Sequence, residues 1–589
     1  MKKRIISLLL TTCMTISILA GCGNTSSKEK HLENKSGKSA YDEPITIDVF
    51  ASEANYQGVQ SGWFGKIVKD KFNMELNIIA PNVAGGGDTL FQTRSAAGDL
   101  GDLIICNTSN GTLAQLVKAG LVQDMTSYLK DTKFVTQYSD AIASMKELSG
   151  GGNEIYAIPT EVSSQSPTTP SVGLEPGYAP YIRWDIYEEI GCPEINNLDD
   201  LLEALKKMQD AHPTSDSGKK VYAISLFSDW DRNMMTLARN ITCMYGYDET
   251  GITLLANDGS NVQSPIDESS IYRKGLEFLY KANQMGLVDP DSTTQNYDTM
   301  YQKMQDGAVL FSFWSWMGQG AYNTPEHTND GKGFKLAPVK DLKIGVNGCK
   351  TLGYQEIGIM IGSKAEDPQR LIDFIDWLYS PEGIMASQAS GTSGTCGPEN
   401  LTWEMKDGKP ALTEFGKEAL GGSEIEVPDE WGGGTWKEGI CTLNVTFVNA
   451  VDINPDTDKP YMYTLWDSTI EDNKTKLDEN WSKVTGVESA IEYLKNNNML
   501  EVAPGDSYVT PEEDSQITNL RSQCGASLTD YSWRIVFAED DQKFEFLYKE
   551  MQDTLNGLNF EEVFTYDKKC ALEKAEARKE VVELYNSKN

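Results

Sequence analysis

The sequence predicts an α/β protein of two lobes, from its length, from the alternation of strand and helix signals, and from their recurrence in a second block. Its 589 residues, 39% of them hydrophobic, exceed what one core serves, because single cores stop growing near ~250–300 residues. From Pro44 the apolar spacing alternates. Ile45, Ile47 and Val49 repeat as a strand does, Trp63 to Phe72 has helical spacing, and Leu76 to Ile79 reads as a second strand. Thr89 to Ala97 reads as a second helix and Leu103 to Cys106 as a short buried strand. Such a βαβαβ run folds into a parallel sheet with right-handed crossovers, and ligands bind beyond the carboxyl ends of its strands. Residues just after each strand are therefore where a site is sought.

A second block repeats the logic. Asn197 caps a helix whose Leu198, Leu201, Leu202, Leu205 and Met208 share a face until His212-Pro213 stops it. Val221 to Phe227 reads as the next strand, Ser270 opens a helix closed by Gly286, and Ala308 to Phe313 returns as a strand. Pro368 begins a helix carrying Leu371, Ile372, Ile375 and Leu378, ended by Pro381-Glu382-Gly383. Beyond Gly391 the pattern weakens, with helical stretches near 467–482 and 487–498 and a last amphipathic helix near 542–556 stopping at Gly557. No fixed-period repeat is present, which argues against a solenoid.

The N-terminus reads as an address. Lys2, Lys3 and Arg4 precede the stretch Ile5 to Ala20, which is too short and too interrupted by Ser, Thr and Cys to span a bilayer. Residues 1–21 are thus expected to be a signal peptide. It ends in Leu19-Ala20-Gly21-Cys22, the lipobox pattern, in which Cys22 takes a diacylglycerol and becomes the new N-terminus. Residues 22–43, rich in Ser, Lys, Asn and Gly, are expected to form a flexible tether. No later apolar run reaches ~18 residues, so the body is expected at the extracellular face of the cell membrane, held by lipid alone.

Formal charge is −35, and the first forty residues hold seven Lys/Arg against two Asp/Glu, so the body is more acidic still. That excludes nucleic acid as a partner, since a phosphate backbone would be repelled. Cys13 and Cys22 belong to the leader. Cys106, Cys192, Cys243, Cys349, Cys396, Cys441, Cys524 and Cys570 are scattered without metal-ligand spacing and read as buried free thiols, although spacing leaves a long-range bridge open.

Enzyme signatures are scarce. His31 lies in the tether, His212 precedes a Pro and His327 sits in a Pro/Glu/Thr/Asn loop, so a His triad or zinc protease has little to use. Ala84-Gly85-Gly86-Gly87-Asp88 lacks the Lys of a phosphate loop, and Asn257-Asp258-Gly259-Ser260-Asn261 lacks the full calcium-loop ligand set. No metal and no cofactor is expected. A glycoside hydrolase needs only two carboxylates, and 87 acidic residues leave that alternative open. A peptide-binding receptor is the other.

Further segments speak through their order. Ala97-Gly98-Asp99-Leu100-Gly101-Asp102-Leu103 precedes the third strand, Gly120-Leu121-Val122-Gln123-Asp124-Met125-Thr126 follows the next helix, and Ile155-Tyr156-Ala157-Ile158-Pro159 comes after it. Ile182-Arg183-Trp184-Asp185 with Glu189-Ile190-Gly191, then Gly286-Leu287-Val288-Asp289-Pro290, Gly307 to Trp316, and Asp367-Pro368 to Gly383 complete the series. In this order they resemble the extracellular solute-binding proteins of the family 1 type, in particular the long lipoprotein branch of carbohydrate ABC importers. Gly101 stands where that family usually has Pro.

The resemblance implies a periplasmic-binding-protein-like fold whose two lobes are discontinuous and joined by hinge strands. The crossings are placed near 160, 346 and 384. The first lobe is then 44–160 plus 346–384, and the second 161–345 plus 385–589 with a C-terminal extension. Residues 400–540 exceed what shorter members have. The resemblance also implies a monomeric binder, not an enzyme, that captures an oligosaccharide between the lobes and hands it to ABC permease subunits.

Sugars need aromatic plates for their faces and Asp, Glu, Asn or Arg for their hydroxyls. After the first strand stand Ser52, Glu53 and Asn55, and after the third Asn107, Thr108 and Ser109. Helix capping is the competing role for these. Glu161 lies beside the first crossing. In the second lobe Asp229 adjoins Trp230, and Trp314 and Trp316 end a strand, with Trp314 the leading candidate for the platform. Tyr354, Glu356 and Trp431, the last beside a triple Gly, complete the set. Arg183 and Asp185 are read as a structural pair.

Overall fold

The computed structural model describes residues 41–83, 87–389, 394–422 and 424–588. The signal peptide, Cys22 and nearly all of the tether lie outside the described residues. Among those described, no helix is long and apolar enough to cross a membrane.

The first lobe is built on a six-stranded sheet in the order Gly58–Val59, Met74–Ile79, Ile45–Ala51, Leu103–Asn107, Tyr354–Ile361, Ile158–Thr160. Ile45–Ala51 lies parallel to both Met74–Ile79 and Leu103–Asn107, as the βαβαβ spacing predicts. The returning strand Tyr354–Ile361 runs antiparallel to both its neighbours. The helix Gly62–Phe72 buries Trp63, Phe64, Ile67, Val68 and Phe72, one face of a 3.6-residue period. It stops where Asn73 turns left-handed at φ 46° and its N–H caps Lys69 O.

The second lobe departs from the parallel pattern. One of its sheets is three-stranded, with Tyr178–Arg183 in the middle, antiparallel to Phe311–Trp314 and Phe334–Leu336; a small antiparallel sheet over Tyr247–Gln263 and a parallel pair, Ile344–Asn347 with Leu500–Ala503, accompany it. Val221 to Phe227 is not a strand: Tyr222 and Ile224 make only isolated parallel bridges, to Val309 and Val288. A short apolar run is equally consistent with any buried segment. Helices follow the sequence closely here. Asn197 caps Leu198–Ala211 by accepting from Asp200 N, and Ser270 caps Ile271–Gln284. Pro381-Glu382-Gly383, read as a stop, instead opens a further helix, Pro381–Ser387.

The irregular segment after Gly391 belongs with the first lobe. Cys396, Leu401, Trp403, Trp436, Phe447 and Trp466 are buried in the same core as Ile47, Leu76 and Leu103, whereas Leu477 and Trp481 join the other core. The chain therefore crosses for the third time between 466 and 477, not near 384. Trp436 is the reason this segment stays: its ring stacks on Trp63 at 4.6 Å and 7°, and its carbonyl accepts from Trp63 Nε1 at 3.1 Å.

Past the third crossing three long helices close the second lobe, Ser515–Val536, Asp541–Gly557 and Phe560–Lys588. The sequence shows only the middle one as amphipathic, because the outer two bury charge. Arg521 donates to both oxygens of Asp567 at 2.6 Å, and Arg578 reaches Asp506 at 3.1 Å and Asp248 at 3.2 Å. The eight body cysteines are free, and all but the half-buried Cys192 are buried.

Candidate binding cleft

The carboxyl ends of the first-lobe strands form one polar wall. Ser52 N donates to Ile105 O at 2.9 Å, and Thr108 N donates to Glu356 O at 2.9 Å, tying three strand ends together. Asn107 Oδ1 accepts from Ser109 N at 2.9 Å and from Ser109 Oγ at 2.8 Å, so much of the polarity of this pair is spent on its own turn. Asn444 Nδ2 holds the Glu53 carbonyl at 2.8 Å, leaving the carboxylate exposed, and Asn55 is exposed nearby.

Tyr354 sits among carboxylates. Its hydroxyl donates to Glu356 Oε2 at 2.7 Å, and burial first, then Glu356, Glu161 and Glu53, push its phenol well above the usual range. Lys350 offsets that charge: Nζ lies 4.3 Å from the Tyr354 ring centroid and 2.7 Å from Glu161 Oε2. Glu161 itself is held at φ 50°, a left-handed conformation, by its N–H bonding to Thr446 O at 2.8 Å. A non-glycine residue there carries strain of order 1–3 kcal/mol, and such strain concentrates where a side chain must point one way.

The facing wall is aromatic. Trp314 ends the strand Phe311–Trp314 and is only 4% exposed, whereas Trp316, in the first turn of Ser315–Tyr322, is 49% exposed and Trp230 37%. Trp314 is thus the buried support and not the platform. Trp316 lines the cavity, and Trp230 packs beside it against Tyr297 and Phe227. Asp229 is exposed beside them and accepts from Tyr297 N at 2.9 Å.

Beside these walls, reached by Glu161 on one side and Trp316 on the other, lies a cavity of about 880 Å³. Glu161 and the loop 171–177 line its hinge side, Ser387, Asn444, Asn449 and Thr469 its first-lobe side, and Trp316, Gln319, Lys335 and Asp478 its second-lobe side. The cavity thus sits where the chain passes between the two cores, with the antiparallel return strand Tyr354–Ile361 beside it.

The model of the family described as bacterial extracellular solute-binding protein matches residues 59–385. The chain belongs to that family. Solved structures of similar fold include the alginate-binding protein AlgQ2 without calcium ion, at 14% identity and TM-score 0.55, covering 91% of this chain and 100% of that one. An HMO-binding, ABC-transporter-associated solute-binding protein of Bifidobacterium longum infantis matches at 14% identity and TM-score 0.54, over 90% of this chain and 99% of that one. The S. pneumoniae substrate-binding protein FusA in complex with kestose matches at 15% identity and TM-score 0.55, over 92% and 100%. No curated protein sequence matches the chain.

Within this solute-binding protein, of the residues singled out in the sequence, only Glu161 and Trp316 line the cavity directly. Glu53, Asn107, Ser109, Tyr354 and Glu356 share the adjoining strand-end wall, and Trp230 touches Trp316 with ring centroids 5.8 Å apart. Trp431 is elsewhere: it packs half-buried on the first-lobe core, and the neighbouring Gly432 abuts Gly62 and Lys66 of the helix Gly62–Phe72. Arg183 and Asp185 form the structural pair the sequence suggests, at 2.7 Å and largely buried. The sequence missed Ser387, Gln319, Lys335, Asn444, Asn449, Thr469 and Asp478. Gln319 alone had a local signal, standing three residues past Trp316 on one helix face.

Proposed function

We propose that this chain is a lipid-anchored receptor of an ABC importer, which captures an oligosaccharide in the cleft and delivers it to the permease. The observation that carries the reading is Trp316: a half-exposed indole facing a cavity of about 880 Å³ whose other walls carry Asn, Ser, Thr and Glu. Apolar sugar faces stack on such a ring while hydroxyls meet the polar groups. The alginate-binding, HMO-binding and kestose-bound relatives support the substrate class.

The cycle is mechanical. Solute contacting both walls favours the lobe arrangement that makes both sets of contacts, and the switching is limited by the affinity difference between open and closed forms. In this reading the lipid on Cys22 holds the receptor at the membrane, beside the permease. No chemical step is assigned to the cleft.

A thermal-shift screen of the mature chain against oligosaccharides and peptides, with sugar integrity checked afterwards, tests this. Stabilisation by an intact oligosaccharide supports the receptor. Cleaved sugar points to a hydrolase, and a response to peptides alone replaces the substrate class.

A further inference from the structure

The segments that carry the chain between the two cores have a small core of their own, in which Cys349, Ala450, Val451 and Met462 are buried together. They wall two cavities. Glu161, Asn449, Ala450 and Met462 line the cleft cavity, whereas Ser163, Ser164, Asp452, Ile453 and Tyr461 line another of about 450 Å³. No described residue lines both. The crossing segments therefore stand between the two spaces, and the second space lies on the side away from the cleft. Its wall is braced by Asp452, whose carboxylate accepts from Ser163 Oγ and from Ser164 N, the latter at 2.6 Å.

Both lobes reach this rear cavity. Phe134 and Tyr138, which pack on the first core, and Asp140 line it together with Leu584, Tyr585 and Lys588. The last three lie in the final turns of the helix Phe560–Lys588, whose body is fixed to the second lobe: Phe560 and Val563 are in the second core, Ala571 and Ala575 pack with Leu255, and Arg578 Nε reaches Asp506 at 3.1 Å. Beyond Arg578 the helix leaves its own lobe, and Lys588 pairs with Asp140 of the first. An element anchored in one lobe thus holds the other by an ion pair, behind the crossing segments.

The cleft is not shut in this arrangement, since Trp316 is half-exposed. A rotation about the crossing segments that narrows the cleft widens the space behind them, because the two sides of a hinge move oppositely. Closure therefore draws Lys588 away from Asp140. We propose that the final turns of the helix Phe560–Lys588 are a strap behind the hinge, holding the cleft open until solute contacts on both walls outweigh it. This rests on the reading of the chain as a receptor that closes, and is independent of the solute's chemical class. The strap weakens binding without touching the ligand, because closing the lobes must first release it. An exposed ion pair is weak, which suits a contact that yields in every round of capture and release.

The test is the distribution of interlobe distances in the mature, solute-free chain, read by pulsed electron paramagnetic resonance. Spin labels are carried on p-acetylphenylalanine introduced at the exposed Lys118 and Lys207, one in each lobe, so that the native thiols are left alone. A chain shortened to Glu583 and the surface variant Asp140→Lys are both expected to displace and broaden the distribution, and adding Lys588→Glu to Asp140→Lys is expected to restore it. Calorimetry with malto-, cello- and fructo-oligosaccharides is expected to show the strap-free forms binding the tightest of these roughly two- to fivefold more tightly. An unchanged distance distribution in both variants overturns the strap, and so does weaker sugar binding by both. If none of the sugars binds, the carbohydrate reading fails while the distance measurement still decides the strap.

Discussion

Trp230 and Trp316 stand with ring centroids 5.8 Å apart and planes inclined by 37°, and both rest against Trp314, at 5.7 Å from each. The exposed pair is therefore aimed by the buried member, and the three rings have separable roles. Trp316→Ala should weaken ligand binding roughly 10- to 100-fold, the loss of one aromatic burial worth ~1.5–3 kcal/mol, with little change in melting temperature. Trp314→Ala opens a cavity in the second core and should cost about 3–5 kcal/mol of stability. Calorimetric titration and thermal melts on the two variants distinguish the roles.

Glu161 offers a case where loss of function and gain of stability coincide. Its φ of 50° suits glycine, and its carboxylate holds Lys350. Glu161→Gly should relieve backbone strain and leave the melting temperature equal or higher, while binding falls as the carboxylate is lost and Lys350 is freed. A drop in stability equal to that of an ordinary buried substitution would contradict the account.

Glu175 predicts a pH-dependent stability. Burial raises its carboxyl above the ordinary 4.5, with Lys335 opposing. A raised carboxylate contributes stability that is fully present below the unfolded value of 4.5 and is lost as pH rises through the folded value. Glu175→Gln should therefore raise the melting temperature at pH 8 and make no difference at pH 3.5. Asp478 has the opposite sign: burial would raise it, but Lys335 and the hydrogen bonds from Lys335 and Thr475 outweigh that and lower it.

Asp567 pins the last helix to the second lobe, 2% exposed and bonded to Arg521 and to Ile252 N. Asp567→Ala leaves Arg521 with Glu513 alone and should cost about 3 kcal/mol, read by chemical denaturation. Gly251→Ala should act similarly, because a Cβ there would lie 2.1 Å from Asp567 Oδ2.

Membrane attachment is testable without the ligand. Cys22→Ser is expected to release the protein into the medium of a growing culture, whereas the unaltered chain stays with the membrane fraction.

Much of this architecture was legible in the chain. The strands Ile45–Ala51, Met74–Ile79 and Leu103–Asn107 and the helices capped by Asn197 and Ser270 show their periodicity locally; the ends of the first and third strands gave Glu53 and Asn107 as candidates, while Glu161 came from the crossing that the resemblance implies. What stayed hidden has long-range causes. Trp436 is fixed by Trp63, 373 residues away in sequence, so nothing near Trp436 could tell that its segment folds back on the first lobe. Trp314 and Trp316 are equivalent by composition; the change from strand to helix at Ser315 buries one and exposes the other.

The sequence by itself determined the α/β class, the family and the polar character of the strand ends, because apolar period and turn chemistry act over a few residues. Only the tertiary structure decided which lobe owns the segment 394–466, that Trp314 is buried while Trp316 lines the cavity, and that Glu161 and Asp478 meet Lys350 and Lys335 there. Those properties arise from contacts between elements far apart in the chain, where packing selects one neighbour for each side chain and no local pattern records the choice.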